Sequence, residues 1–169
     1  MATEIQKNLV TKNGEYASTF DKGHLALPPA KKYLVVTCMD ARIDPAAAFG
    51  ISLGDAHVIR NAGGSAKEAQ RSIVISEQLL GTNEIILVKH TGCGMLTFTN
   101  DVAHGLVKQN LGAVAADELA TLDFLAFPEL DSAVKSDVEF LKQSATVPES
   151  VPISGWVYEV ETGKVRRVV

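Results

Sequence analysis

The sequence predicts an α/β protein in which a mostly parallel central sheet is flanked by helices. Three observations carry that prediction. The chain has 169 residues, the length of one domain with one sizeable core. Hydrophobic residues make up 46% and charged residues 21%, which is globular rather than disordered. Short β-branched runs alternate with helical patterns, the grammar of βαβ crossovers.

Residues 2–19 read as a weakly amphipathic helix interrupted near Asn13 and Gly14. With the loop through Gly23 and Pro28-Pro29 they form an N-terminal helical arm over residues 1–30 of a single domain spanning 1–169. Strands are expected at Lys32–Thr37 (KYLVVT), Ala56–Arg60 (AHVIR) and Glu84–Lys89 (EIILVK). Between the second and third, Ala66–Leu80 carries Ala69, Ile73, Ser76 and Leu80 on one helical stripe. Ser65 and Glu68 make an S-x-x-E capping box at its start, and Gly81 ends it. Further helices are expected over 97–110, 116–126 and 131–143, with Pro128 closing the second and Asp131 capping the third. Ile153–Glu161 and Lys164–Val169 alternate around Thr162-Gly163, a C-terminal hairpin at the sheet edge.

Lys and Arg number 16 against 20 Asp and Glu, a net charge of −4, and the densest basic cluster is Arg166-Arg167. Nucleic acid and membrane surfaces, which call for a basic excess, are therefore not expected partners. No signal-like apolar core follows Met1, and runs such as Ile85-Ile86-Leu87-Val88 are too short to cross a bilayer. Two cysteines exclude a disulfide framework and favour thiol or metal chemistry in a reducing compartment. The expectation is a soluble, cytoplasmic protein.

Both cysteines fall at strand ends. Cys38 follows the first strand, and His90-Thr91-Gly92-Cys93 follows the third. In a parallel sheet these ends share one edge, where ligands bind. His90 and Cys93 can bite one ion across a glycine-loosened turn while Cys38 supplies a third ligand. Two thiolates and an imidazole suit zinc and leave a fourth position for water. Buried free cysteines and hydrogen-bonded strand-end histidines are also ordinary core residues, so spacing alone leaves both readings open.

The neighbours of Cys38 add weight to the metal. In Cys38-Met39-Asp40-Ala41-Arg42 the Cys, Asp and Arg alternate and project to one side of an extended segment. Arg42 can hold the Asp40 carboxylate by a bidentate, charge-assisted pair, although a plain surface Asp-Arg pair has the same pattern. Asn61-Ala62-Gly63-Gly64 ends the second strand on the same edge. Its two glycines suit either a backbone N–H cradle for a substrate oxygen or a tight turn at positive φ. His24, His57 and His104 have no Cys or His partner at ligand spacing and read as packing or surface residues.

The motifs Cys38-Met-Asp-Ala-Arg42 and His90-Thr-Gly-Cys93-Gly94 resemble those of the β-class carbonic anhydrases. The similarity extends through Arg60-Asn61-Ala62-Gly63-Gly64, the Glu77–Lys89 run and the terminal Ser154-Gly-Trp-Val-Tyr-Glu-Val-Glu-Thr-Gly-Lys164. It implies one zinc per chain on Cys38, His90 and Cys93, and a catalytic Asp40-Arg42 dyad. It also implies a homodimer that can pair into a tetramer, with aromatic residues closing the pocket. Phe49, Phe124 and Phe127 are candidates for that wall, and Gly63 and Gly64 for substrate contact. The family's commoner patterns are C-S-D-S-R and G-H-x-x-C-G. Here Met39 and Ala41 replace the serines, Lys89 replaces the glycine before His90, and the pocket glutamine of longer members has no assignable counterpart. The compact branch it is similar to also contains carbonyl sulfide hydrolases. The implied activity is zinc-dependent reversible hydration of carbon dioxide to bicarbonate. Hydrolysis of carbonyl sulfide at the same site is the alternative, and a structural zinc protein with a fourth protein ligand is the rival of a different class.

Overall fold

The computed structural model describes residues 1–169. At its centre lies a five-stranded sheet of β1 (Tyr33–Cys38), β2 (Ala56–Asn61), β3 (Ile85–His90), β4 (Ile153–Tyr158) and β5 (Val165–Arg167), in the order β2-β1-β3-β4-β5. The first four strands pair in parallel, and β5 returns antiparallel to β4 through a turn in which Gly163 takes φ 71°. β2 lies on one side of β1 and β3 on the other, so the winding reverses at β1. That reversal opens a crevice beyond the carboxyl ends of β1 and β3.

Alternation along the strands sorts the core. Leu34, Val36, Ile85, Leu87 and Val157 pack with Ala69 and Ile73 of α3 (Ala66–Gln78) and with Val134, Val138 and Leu141 of α6 (Leu130–Gln143), all buried. The opposite parity presents Val35, Ile86, Val88 and Trp156, which line an apolar groove of about 320 Å³ together with Ala48 and Phe49 of the short α2 (Pro45–Phe49). The N-terminal arm covers neither face: every residue from Met1 to Pro28 is exposed, α1 (Glu4–Ala17) included. No helix is long and apolar enough to cross a membrane.

Several expected boundaries move, each for a local reason. α1 runs unbroken through Asn13-Gly14. A reciprocal Thr3/Gln6 capping box starts it and the Lys12–Glu15 ion pair flanks the glycine, whose cost in an exposed helix is only about 1 kcal/mol. The first three strands end one residue later than expected, so Cys38, Asn61 and His90 are terminal strand residues, whereas β4 stops at Tyr158 and β5 covers only Val165–Arg167. Ser65 caps α3 through Glu68 N–H, but the return half of the box is absent. The Ser65 N–H instead donates to Asn61 Oδ1 at 2.7 Å.

α4 (Asn100–Leu111) starts from a Thr99 cap. α5 covers only Ala113–Glu118 rather than extending to 126. Asn100 takes the Phe124 N–H, Asp123 takes the Leu125 N–H, and Leu125 sits at φ 58°, all incompatible with a helix there. Glu129, not Asp131, caps α6, accepting from the N–H groups of Asp131 and Ser132. α2 was not expected, although Asp44 as N-cap, Pro45 at the first turn and Gly50 at φ 65° spell a short helix.

Candidate metal centre

The crevice gathers the three expected ligands. The sulfurs of Cys38 and Cys93 and a ring nitrogen of His90 all lie within 4.8 Å of one another, on residues that are all buried, and no disulfide joins the cysteines. The His90 Nδ1 lies 2.9 Å from the Thr91 carbonyl, which makes Nδ1–H the donor and leaves the lone pair on Nε2. That Nε2 is buried without any hydrogen-bond partner. A buried polar atom stays unpaired only where something else satisfies it, and with two sulfurs beside it a soft cation fits.

The thiols are polarised in the same sense. Cys38 lies well below the usual thiol range, chiefly through the Cys93 thiol beside it, with backbone N–H groups adding to the effect. Cys93 is pushed up in turn by the Cys38 sulfur and by burial. A divalent cation bound by both sulfurs would displace their thiol protons.

Asp40 and Arg42 form the expected dyad. Arg42 Nε donates to Asp40 Oδ1 at 2.9 Å and Nη2 to Oδ2 at 2.7 Å, while the Arg42 backbone N–H also reaches Oδ1. Nη2 further donates to the Gly92 carbonyl at 2.9 Å, tying the dyad to the H-x-x-C turn. The guanidinium holds the Asp40 carboxyl far below the usual carboxylate range, with the Arg42 N–H contributing. Asp40 Oδ2 stands 3.7 Å from His90 Nε2, on the ligand side of the imidazole.

The sequence profile of a family described as carbonic anhydrase matches residues 33–165, the span that carries all five of these residues. A β-carbonic anhydrase from Mycobacterium tuberculosis is 38% identical over 165 residues, covering 97% of this chain and 98% of that protein. The chain belongs to the β-carbonic anhydrase family. A carbon disulfide hydrolase of Saccharolobus solfataricus is 34% identical, covering 99% of this chain and 90% of its own. The solved carbonic anhydrase from Glaciozyma antarctica superposes with a TM-score of 0.93 at 46% identity, with both chains covered in full. The protein is therefore an enzyme of this family, and zinc is its metal.

The remaining candidates of this β-carbonic anhydrase site divide. Gly63 and Gly64 sit at φ 72° and 59°, wedged so that a side chain on Gly63 would meet Met95 Cγ at 2.8 Å and one on Gly64 the Thr37 carbonyl carbon at 3.0 Å. Phe49 and Phe127 pack on a small cluster of Cys38, Ile43, Cys93 and Met95. Phe124 lies apart from that cluster, edge-on to His104 at 5.1 Å. His57 bonds Ser76 Oγ at 2.7 Å, His104 bonds the Leu122 carbonyl at 3.0 Å, and His24 is exposed.

Two buttresses escaped the sequence reading. Arg60, at the end of β2, donates to the carbonyls of Cys38 at 3.0 Å and Asp40 at 2.8 Å, fixing the C-x-D-x-R backbone. Lys89 is buried against Asp137 of α6. The register that sets Arg60 beside Thr37, one residue from Cys38, is the only signal that could have found the first; the second depends on a helix far along the chain.

Proposed function

We propose that this protein catalyses the reversible hydration of carbon dioxide to bicarbonate, with one zinc held by Cys38, His90 and Cys93. The observation that carries this reading is the orphaned, buried His90 Nε2 between two buried thiols and the Asp40 carboxylate. Bound zinc supplies a Lewis acid that makes water a usable nucleophile near neutral pH. With the metal in place, Asp40, kept ionised by Arg42, would accept a hydrogen bond from the attacking water and orient it toward the central carbon of the substrate. The dyad is fixed in advance, since Arg42 is anchored to Gly92 and Arg60 grips the backbone at Asp40. Met95, Phe127 and Phe49 supply a dry wall suited to a small apolar molecule, and Gly63 and Gly64 complete it at the end of β2. A purely structural metal would need a fourth protein ligand. The group has three members, and Asp40, the next carboxylate, is committed to Arg42.

A second reading is favoured by the carbon disulfide hydrolase relative: the same site hydrolyses a linear sulfur analogue, taking carbonyl sulfide and water to carbon dioxide and hydrogen sulfide. Sulfur gains from contact with Met95 and the aromatic wall. Matched assays of the zinc-loaded protein on carbon dioxide, carbonyl sulfide and carbon disulfide test both readings. Higher kcat/KM on a sulfur substrate reverses their order, and no turnover of any of the three defeats both.

We also assign the working unit as a homodimer, able to pair further into a tetramer. The apolar groove on the open sheet face and the wholly exposed N-terminal arm support it. The unbridged buried cysteines suit the reducing cytoplasm.

A further inference from the structure

Lys89 stands where the family's commoner pattern has glycine, and it has a defined place. Along β3, Ile85 and Leu87 turn toward α3 and α6, and Lys89 continues that parity while His90 turns the other way. Its side chain is only 3% exposed. Its three ammonium hydrogens have three acceptors: Asp137 Oδ2 at 2.9 Å, the Gly63 carbonyl at 2.9 Å and the Gly64 carbonyl at 3.3 Å. The ammonium also lies over the Phe127 ring, 4.8 Å from its centroid. Asp137 Oδ2 accepts in addition from the Ala66 N–H at the start of α3, at 3.1 Å.

Burying this charge is costly even when it is fully paired, and a glycine would avoid the cost. What the charge holds gives it a purpose. Both carbonyls belong to the two-glycine turn that packs on the Thr37–Cys38 peptide, where a side chain on Gly64 would come within 3.1 Å of the Cys38 backbone nitrogen. Gly-Gly peptides reorient easily, and pinning two successive carbonyls removes that freedom. Phe127, held over the same ammonium, is also the ring that would lie 3.1 Å from a side chain on Gly63, so both sides of the turn are fixed together.

We propose that Lys89, locked by Asp137, is a positioning residue that holds the Gly63–Gly64 turn against the peptide that carries the metal-binding Cys38. Outer partners of this kind fix a ligand's position, and their loss costs about 10–100-fold in metal affinity or activity. The inference rests on Cys38 being a metal ligand, so its test must tell the two apart.

The experiment uses cobalt(II)-substituted full-length protein and a competitive chelator titration with zinc. Lys89→Met is compared with the pair Lys89→Met/Asp137→Asn, which removes both charges and leaves an amide oxygen for the Ala66 N–H. The folded variant is expected to keep its circular dichroism. Its thiolate-to-cobalt band should shift as the peptide carrying Cys38 loses its support, and its zinc affinity should fall about 10-fold or more. A folded variant with the parental band and zinc affinity within twofold overturns the positioning role alone. A parent protein with no thiolate band overturns the metal assignment, and this inference with it.

Discussion

At the scale of the residue, His90 shows how much one side chain can specify. Its Nδ1–H is spent on Thr91, so Nε2 has only a metal to meet, and Cys38 and Cys93 stand ready beside it. Cys93→Ser or His90→Ala should therefore empty the site, with zinc per chain falling toward zero by elemental analysis while the fold persists by circular dichroism. Asp40→Ala should do the opposite, keeping zinc yet losing about 100-fold or more in turnover, the range for a lost proton-handling group. Loss of zinc in Asp40→Ala would make Asp40 a ligand rather than an orienting base. These residues could be singled out in the sequence because C-x-D-x-R and H-x-x-C are local patterns, although spacing alone left an ordinary core reading open and the family resemblance supplied the ligand set. Arg60 and Asp137 were not, because each acts through a carbonyl or an ammonium that only the folded sheet brings near.

At the scale of the element, the sheet was readable because β-branched runs mark strands whatever surrounds them, and the one-residue extension at the carboxyl ends of β1, β2 and β3 reflects pairing that a run cannot report. Helix starts were harder, since any acid near a turn can serve as a cap. Glu129 won over Asp131 at α6, and Asp131 was left in the first turn to pair with Arg166 of β5 at 2.6 Å. That pair ties the edge strand to the helix, and Arg166 lowers the Asp131 carboxyl. A carboxyl depressed in the folded state contributes stability above its unfolded pKa of about 3.9 and loses it as pH falls through the folded value. Both partners are substantially exposed, so Asp131→Asn should cost only about 0.5 kcal/mol at neutral pH, with the gap closing in acid; urea unfolding at the two pH values measures it. Gly155 in β4 gives a larger test under the same helix. A side chain there would come within 2.5 Å of Val134 and 3.0 Å of Val138, so Gly155→Ala should destabilise the protein by about 1–3 kcal/mol in thermal unfolding.

At the scale of the whole molecule, the two faces of the sheet are unequal. α3 and α6 bury one, whereas the other keeps Tyr33, Val35, Ile86, Val88, Trp156 and Val165 around an apolar groove. The arm adds Ile5 and Leu9, 82% and 68% exposed. This asymmetry was not legible in the sequence, since the groove's walls come from four strands and α2, and each strand alone reads as core. The groove also borders the chemistry. Phe49 lines it and meets Tyr158 edge-on at 6.0 Å, and both rings pack on the cluster that holds Cys38 and Cys93. A second chain seated there would back the metal site as well as cover apolar surface, so assembly and turnover should be lost together. Ile86→Glu places a charge in the groove without touching a ligand, the dyad or the glycine turn. It should convert the protein to monomers in sedimentation velocity, leave zinc content unchanged, and lower activity per chain. An Ile86→Glu protein that stays dimeric would move the interface elsewhere, and a monomer with parental activity would show that each chain completes its own site.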